Sequence, residues 1–460
     1  MKKVQQYGVR KYQMRLESEG IQEMMFPKAP VKYDLYDEAI ANDESSWTIH
    51  NVHDPALYKD GDTYYVFSTD AKVGGEPTGG IQVRKSKDLI HWEWVGHAFE
   101  QIPTEAHEWT GAKGLWAPDV TKYGETYYLY YAASQFGKNQ SFIGVATSNN
   151  IEGPWVDQGE VIKTKHGESI PNAIDPNITF DEEGNPWMVY GSFFGGIFVA
   201  KIDPSTGKLI EQNDGILISK RHHSVEAAVE GPYIVYHPEF KKYYLFVSYD
   251  SLFRDYNIRV ACADRIEGPY LDYNGNDMTN IEISPNDTGL KILGGYKFGE
   301  AEGWIGPGHN SVLKDGDDYF VCHHARGERT KKHHALHIRK IVWTNDGWPL
   351  VSPERYAGEK EQKINPSQLV GLWEVIEMDR NDNHQLASKP ILLLSEGKVE
   401  DIHNGHWVCK DRNQFELSLE EKIFTLYVLP AWDWSRWNPT LVFTGKDKEG
   451  NVLIGKKMKE

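Results

Sequence analysis

The chain has 460 residues, 40% hydrophobic and 25% charged, which is long enough for a large core plus an additional module. Its formal net charge is −17, with no basic stripe, so nucleic acid and anionic membrane surfaces are excluded as expected partners. No stretch approaches the roughly 18 consecutive apolar residues of a membrane-spanning helix.

The chain opens MKKVQQYGVRKYQMRLESEG, a basic start with no apolar stretch behind it, unlike a secretory signal. Cys262, Cys322 and Cys409 are odd in number and far apart, and read as buried thiols rather than a disulfide framework. Together these features predict a cytoplasmic protein. Residues 1–45 form an N-terminal extension, partly helical or irregular, expected to pack across the domain that follows.

From there one pattern recurs: a short polar signature, a turn, then an aromatic strand. The copies are HDPALYKDGDTYYVFSTD, WAPDVTKYGETYYLYYAAS, IDPNITFDEEGNPWMVYGSF, VEGPYIVYHPEFKKYYLFVSYD and GHNSVLKDGDDYFVCHHA. Anchored on Pro55, Pro118, Pro176, Pro232 and Asn310, they are spaced by 63, 58, 56 and 78 residues. Each is followed by an alternating strand, a polar turn and a further strand: GGIQVRKSKDLIHWEWVG, IGVATSNNIEGPWVDQG, GGIFVAKIDPSTGKLIEQ, IRVACADRIEGPYLDYNG and HALHIRKIVWTNDGWPLV. Gly, Asn, Asp and Pro at the reversals supply the backbone angles that tight turns need. Five units of about four short strands predict an all-β, five-bladed β-propeller over residues 46–355. After Trp348-Pro349 the repeat stops. The polar GEKEQK (358–363) reads as a linker. The alternating segments of residues 362–460 predict a small C-terminal antiparallel β-barrel or sandwich. Within it, WDWSRWNP (432–439) presents aromatics either to a sugar chain or to a core edge.

In a propeller the first strand of every blade lines the axis, so the signatures converge at one end of it. The positions just before the anchors are Asp54, Ala117, Asp175, Gly231 (preceded by Glu230) and His309. Three carboxylates aimed at one point repel each other and cost stability, which points to function rather than structure. Two acids flanking a glycosidic bond are the apparatus of sugar hydrolysis, and a third can tune and orient the one that must hold a proton.

HDPALY, LWAPDV, NAIDPNITF, AVEGPYI and GPGHNSV resemble the five blade signatures of the family 43 glycoside hydrolases, and the arabinanases among them most. The likeness spans residues 46–355, with FGKNQSFIGVATS (136–148) and GSFFGGI (191–197) adding to it. The resemblance implies an inverting hydrolase of α-1,5-linked arabinofuranose units. Asp54 would be the general base, Glu230 the general acid, and Asp175 the residue that raises the acid's pKa and holds it. Inversion would place base and acid carboxyls ~6.5–9.5 Å apart. His309 matches a histidine beside an axial, mostly water-ligated Ca2+, although calcium ordinarily prefers oxygen and a lone His in a turn is ordinarily just hydrogen-bonded. Phe136, Gly137, Asn172 and Ser192 fall where arabinanases contact arabinose. Trp116 either stacks on a sugar ring or packs as a buried indole.

The competing readings are a β-xylosidase or exo-acting α-L-arabinofuranosidase of the same family, and a non-catalytic carbohydrate-binding propeller. With a cytoplasmic location, the expected substrates are short imported arabino-oligosaccharides. The pairs His222-His223, His323-His324 and His333-His334 are not read as zinc sites, because neighbours on a strand point to opposite faces.

Overall fold

The structure, a computed structural model, describes residues 24–459. The expected N-terminal extension before residue 24 lies outside the described residues. The turn signatures fold where they fall. In the first blade Asp60 pairs with Thr63, in the second Tyr123 with Thr126, and in the fifth Asp315 with Asp318. Each pairing leaves a two-residue reversal beginning with glycine, the loop length that hairpin geometry favours.

Five sheets result. The first blade is Ala56–Asp60, Thr63–Ser68, Gln82–Ser86 and Trp92–His97. The second is Trp116–Tyr123, Thr126–Ala133, Ser141–Ser148 and Val156–Thr164. The third is Asn177–Phe180, Pro186–Tyr190 and Ile197–Asp203, whose outer side is shared by Lys208–Leu209 and Ile216–Ser219. The fourth is Val229–His237, Lys242–Tyr249, Asn257–Ala263 and Leu290–Leu293. The fifth runs outward from Trp304–Asp315 through Asp318–Gly327 and His334–Trp343 to Pro349–Val351. The repeat pattern places the last strand of the fourth blade near Tyr270-Leu271. There the chain makes only isolated bridges, Leu271 to Cys262 and to Asp277, and the fourth strand comes about twenty residues later. Asp272 accounts for the detour: its carboxylate accepts N–H bonds from Asn274, Asn276 and Gly289, folding the insert back on itself. This insert also explains the longest repeat spacing.

The aromatic and branched residues of the strands pack between blades. Tyr128, Ile143, Met188 and Tyr190 join the second blade to the third. Val189, Val199, Leu245 and Val247 join the third to the fourth. Leu57, Val66, Phe320 and Ile338 close the ring between first and fifth. Each such side chain contributes about 1.5–3 kcal/mol on burial. Polar links stitch the inner strands as well. The residue after the anchor accepts an N–H from the next blade: Asp119 from Ile178 at 2.6 Å, Asn177 from Ile234 at 2.9 Å, Ser311 from Leu57 at 3.0 Å. These bonds fix each first strand, and hence each residue just before it, relative to its neighbours.

The C-terminal chain forms a seven-stranded antiparallel half-barrel around Trp373, Phe415, Leu426 and Phe443. It docks by adding Leu386–Ala387 in parallel to Tyr296–Lys297 at the edge of the fifth blade. A buried Lys456 bridges the two units, 2.8 Å from Glu354 and 3.1 Å from Asp433. The run 432–439 covers a core edge: Trp432 is buried, and the Trp434 indole donates to Arg355 O while the guanidinium lies over its ring. Of the N-terminal segment, Tyr33 and Leu35 pack on the core between the first and fifth blades. No helix of the described residues is long and apolar enough to cross a membrane.

Candidate active site

The five positions just before the anchors share one backbone feature. Asp54, Ala117, Asp175, Gly231 and His309 all have positive φ, at 50°, 35°, 58°, 56° and 47°. Four of the five are not glycine, so each holds a conformation that is unfavourable for an L-residue. In the second, fourth and fifth blades, strand register slips at the same place. These local bulges re-aim side chains, here towards the axis. Glycine is required in the fourth blade: a Cβ on Gly231 would lie 3.0 Å from the His309 ring. The carboxylate of this blade therefore comes one residue earlier, from Glu230.

Asp54 is held as an anion. Its Oδ1 lies 2.8 Å from His53 Nδ1 and 3.0 Å from His309 Nδ1, and its Oδ2 accepts from the Thr69 hydroxyl at 2.6 Å. Burial pushes its pKa up, but the two imidazoles outweigh it and hold the carboxyl well below the usual range. His53 is oriented from behind, since Arg326 Nη2 donates to its Nε2 at 3.2 Å. Beneath it stacks His324, at 3.8 Å between centroids, whose Nδ1 accepts the Asp54 N–H.

Glu230 and Asp175 behave oppositely. Both are buried, and desolvation raises both. Asp175 reaches about 7, with the Glu230 charge adding to the rise. Ser192 and Tyr256 hydroxyls each donate to Glu230 at 2.8 Å, and the Gly231 N–H donates to Asp175 Oδ2 at 3.0 Å. The pair therefore shares a proton near neutrality while Asp54 does not. One ionised carboxylate opposite a proton-holding pair can act as base and acid in a single displacement.

All three carboxylates line one cleft of about 1190 Å³. Trp116, Phe136, Gly137, Asn172, Ser192 and His309 line it too, so the fold brings every residue singled out in the sequence to one place. Their surroundings differ. Trp116 is half-buried at the cleft wall, and Phe136 is 77% exposed, with its ring 6.4 Å from Phe253 of the fourth blade. Asn172 is buried, and its carbonyl accepts from Ser141 at 2.6 Å, which leaves the amide nitrogen as its free donor. Ser192 is engaged with Glu230 rather than free. Gly137 has φ 77° and open space around it, so it serves the turn.

An axial cation was expected beside His309. Burial alone would push this ring's pKa down, but Asp54, Asp175 and Glu230 raise it to about 9. The cluster thus stabilises a positive charge at this point. A cation would have to displace the ring's extra proton, leaving Nδ1–H on Asp54 and Nε2 as the ligand atom. A single imidazole nitrogen suits only a cation that keeps most of its own water.

Several residues here were not singled out in the sequence: Tyr256, Arg326 and Phe253, together with His53 and Thr69, which lie inside the first blade's signature. Tyr256 looks like any strand-packing tyrosine. Its one local clue is Gly308, whose Cβ would fall 2.2 Å from the Tyr256 ring. The pair His323-His324 does split across strand faces: His324 meets His53, while His323 Nε2 accepts from Arg339. His222-His223 lies at a 3-10 turn instead of a strand, with its rings 4.0 Å apart. Asn381 to His384 of the C-terminal unit also line the cleft.

Residues 48–349 match the family described as Glycosyl hydrolases family 43, and residues 353–455 match a C-terminal lipocalin-like domain. The chain is 32% identical to an extracellular endo-alpha-(1->5)-L-arabinanase of Thermotoga petrophila, over 92% of this chain and 96% of that protein. It is 31% identical to extracellular endo-alpha-(1->5)-L-arabinanase 2 of Bacillus subtilis, over 88% and 93%. A crystal structure of a family 43 protein from Bacillus licheniformis superposes with TM-score 0.82 at 30% identity, covering 90% of this chain and 99% of that one. The Thermotoga petrophila RKU-1 endo-1,5-alpha-L-arabinanase gives 0.79 at 33%, with the same coverage. The expected cytoplasmic location is overturned, because these relatives are extracellular proteins. The cysteines are all unpaired, but only Cys322 is buried, while Cys262 and Cys409 are half-buried, so the expectation of three buried thiols holds for one of them.

Proposed function

The chain belongs to glycosyl hydrolase family 43, and on that premise we propose that it cleaves α-1,5 links between L-arabinofuranose units, with inversion and in endo fashion. One observation carries the reading: a single cleft holds Asp54 as an anion facing a Glu230–Asp175 pair that keeps a proton near neutral pH. Glu230 gives its proton to the glycosidic oxygen as the bond to the anomeric carbon breaks. Asp54 takes a proton from a water that attacks this carbon from the opposite face. The product sugar is released with inverted configuration, Asp54 gives up its new proton to solvent, and Glu230 regains one. Asp175 raises the affinity of Glu230 for its proton and, through the Gly231 N–H, holds the strand that carries it. A calcium ion held by His309 Nε2 would supply a fixed positive charge that keeps Asp54 ionised. Endo action is supported by the two relatives that match both units, each named an endo-alpha-(1->5)-L-arabinanase. The extracellular relatives also favour polymeric arabinan over short imported oligosaccharides as substrate.

The test is a product time course on linear arabinan, arabino-oligosaccharides and xylo-oligosaccharides, with and without chelator. Mixed oligomers from linear arabinan are expected early. Arabinose alone would indicate exo action, xylose release would shift the reading to a β-xylosidase, and no product from any substrate would restore the non-catalytic propeller. Chelator is expected to lower the rate, with recovery on adding Ca2+. Full activity in excess chelator would remove the ion from the account.

A further inference from the structure

We infer that the Asn381–His384 turn of the C-terminal half-barrel forms a distal wall of the catalytic cleft that contacts arabinofuranosyl units beyond those at the scissile bond. It thereby makes the C-terminal unit a determinant of chain-length preference. This rests on the arabinan-hydrolase reading above.

The four residues line the same cleft as Asp54 and Glu230, yet they come from the other unit. Their turn leaves the strand Gly371–Met378 and returns at Leu386–Ala387, the strand that adds to the fifth blade. The propeller grips the turn from below with two buried cations. Lys291 Nζ donates to Asp379 O at 2.8 Å and Asp382 O at 2.7 Å. Arg259 Nη2 donates to Arg380 O at 2.8 Å and Asn383 Oδ1 at 3.2 Å. On the cleft side, Asn383 Nδ2 donates to Asp250 at 2.7 Å and His384 Nδ1 lies 3.0 Å from Asp255. Burying an ammonium to hold two carbonyls is unfavourable, and burial lowers the Lys291 pKa to about 7. A turn that only connected two strands would have no need of this clamp.

What remains free faces the cleft. Asn381 and His384 are exposed, and the Asn381 amide has no hydrogen-bond partner among the described residues. The loop that supplies Asp255 also presents Phe253, 52% exposed, with Arg326 behind its ring. An aromatic face beside amide and imidazole donors suits a neutral, hydroxyl-rich chain. Asp250, Asp255 and Asp382 at the same wall disfavour an anionic one.

The experiment compares the full-length protein with the Asn381→Ala/His384→Ala double variant on arabinohexaose and arabinotriose. Both side chains are exposed, so the variant should fold, which its thermal melt checks. Losing two sugar hydrogen bonds is expected to lower the hexaose-to-triose ratio of kcat/KM about tenfold, mainly through KM on the hexaose. A ratio unchanged within twofold would overturn the inference while leaving the arabinan reading intact, as would equal losses on both substrates. Failure of the unaltered protein to cleave either substrate would remove both.

Discussion

Glu230→Gln is expected to lower kcat on linear arabinan by about 10³–10⁴-fold, the upper range for loss of a general acid. The size is retained and the amide oxygen still accepts from one of the Ser192 and Tyr256 hydroxyls while its NH2 donates to the other, so the loss reports the proton and not the fold. An aryl arabinofuranoside with a good leaving group needs little protonation and should lose only about tenfold by the same argument. Side-by-side kinetics on the two substrates check this, and equal losses would take the acid role away from Glu230. The pH profile follows from the same pair. Activity requires its proton, so kcat/KM should fall as pH rises through about 7, the value Asp175 reaches. The midpoint belongs to the coupled pair and not to one residue. On the acid side Asp54 must stay ionised, and its lowered pKa extends activity to more acid pH than an ordinary carboxylate base would allow. Asp175→Asn removes one of the two charges and should move the alkaline fall to lower pH.

Asp54→Asn should cost about 10⁴-fold on arabinan and on the activated aryl substrate alike, because the base acts on water whatever the leaving group. Asparagine is the informative replacement. Position 54 has φ 50°, a region that Asn tolerates better than other non-glycine residues, so the turn is preserved. Kinetics on both substrates, with a melting curve to confirm folding, test the role. A variant that keeps more than a hundredth of the activity on either would show that another group activates the water. The contrast between the two variants, one rescued by a good leaving group and the other not, separates acid from base more sharply than either loss alone.

The five blades were legible because each is a local unit. Its hairpins are set by turn residues a few positions apart, and one strained turn recurs ahead of every inner strand. The same locality exposed Asp54, Asp175, Glu230 and His309, which stand at or beside that turn in four of the five blades. It failed where the chain departs from the repeat: the insert folded by Asp272 hid the true last strand of the fourth blade.

Ser192 shows the limit within the cleft. The sequence placed it among the cleft residues, but its bond to Glu230 spans 38 residues and joins the third blade to the fourth. Arg326 likewise reaches His53 from another blade, while Thr69 and Tyr256 reach Asp54 and Glu230 within their own blades from positions just outside a strand. Protonation follows suit. All three acids are ordinary carboxyls in the chain, and only assembly adds the His309 imidazole to the neighbouring His53 on Asp54 and buries Glu230 and Asp175 within reach of each other's charge. The C-terminal turn is the extreme case, entering the cleft from a separate unit through a buried lysine and arginine. Blade number and the identity of the acids are written in short-range turn chemistry. Which acid holds a proton, and how far the cleft extends, depend on distances and dielectric that exist only once residues far apart in the chain are packed together.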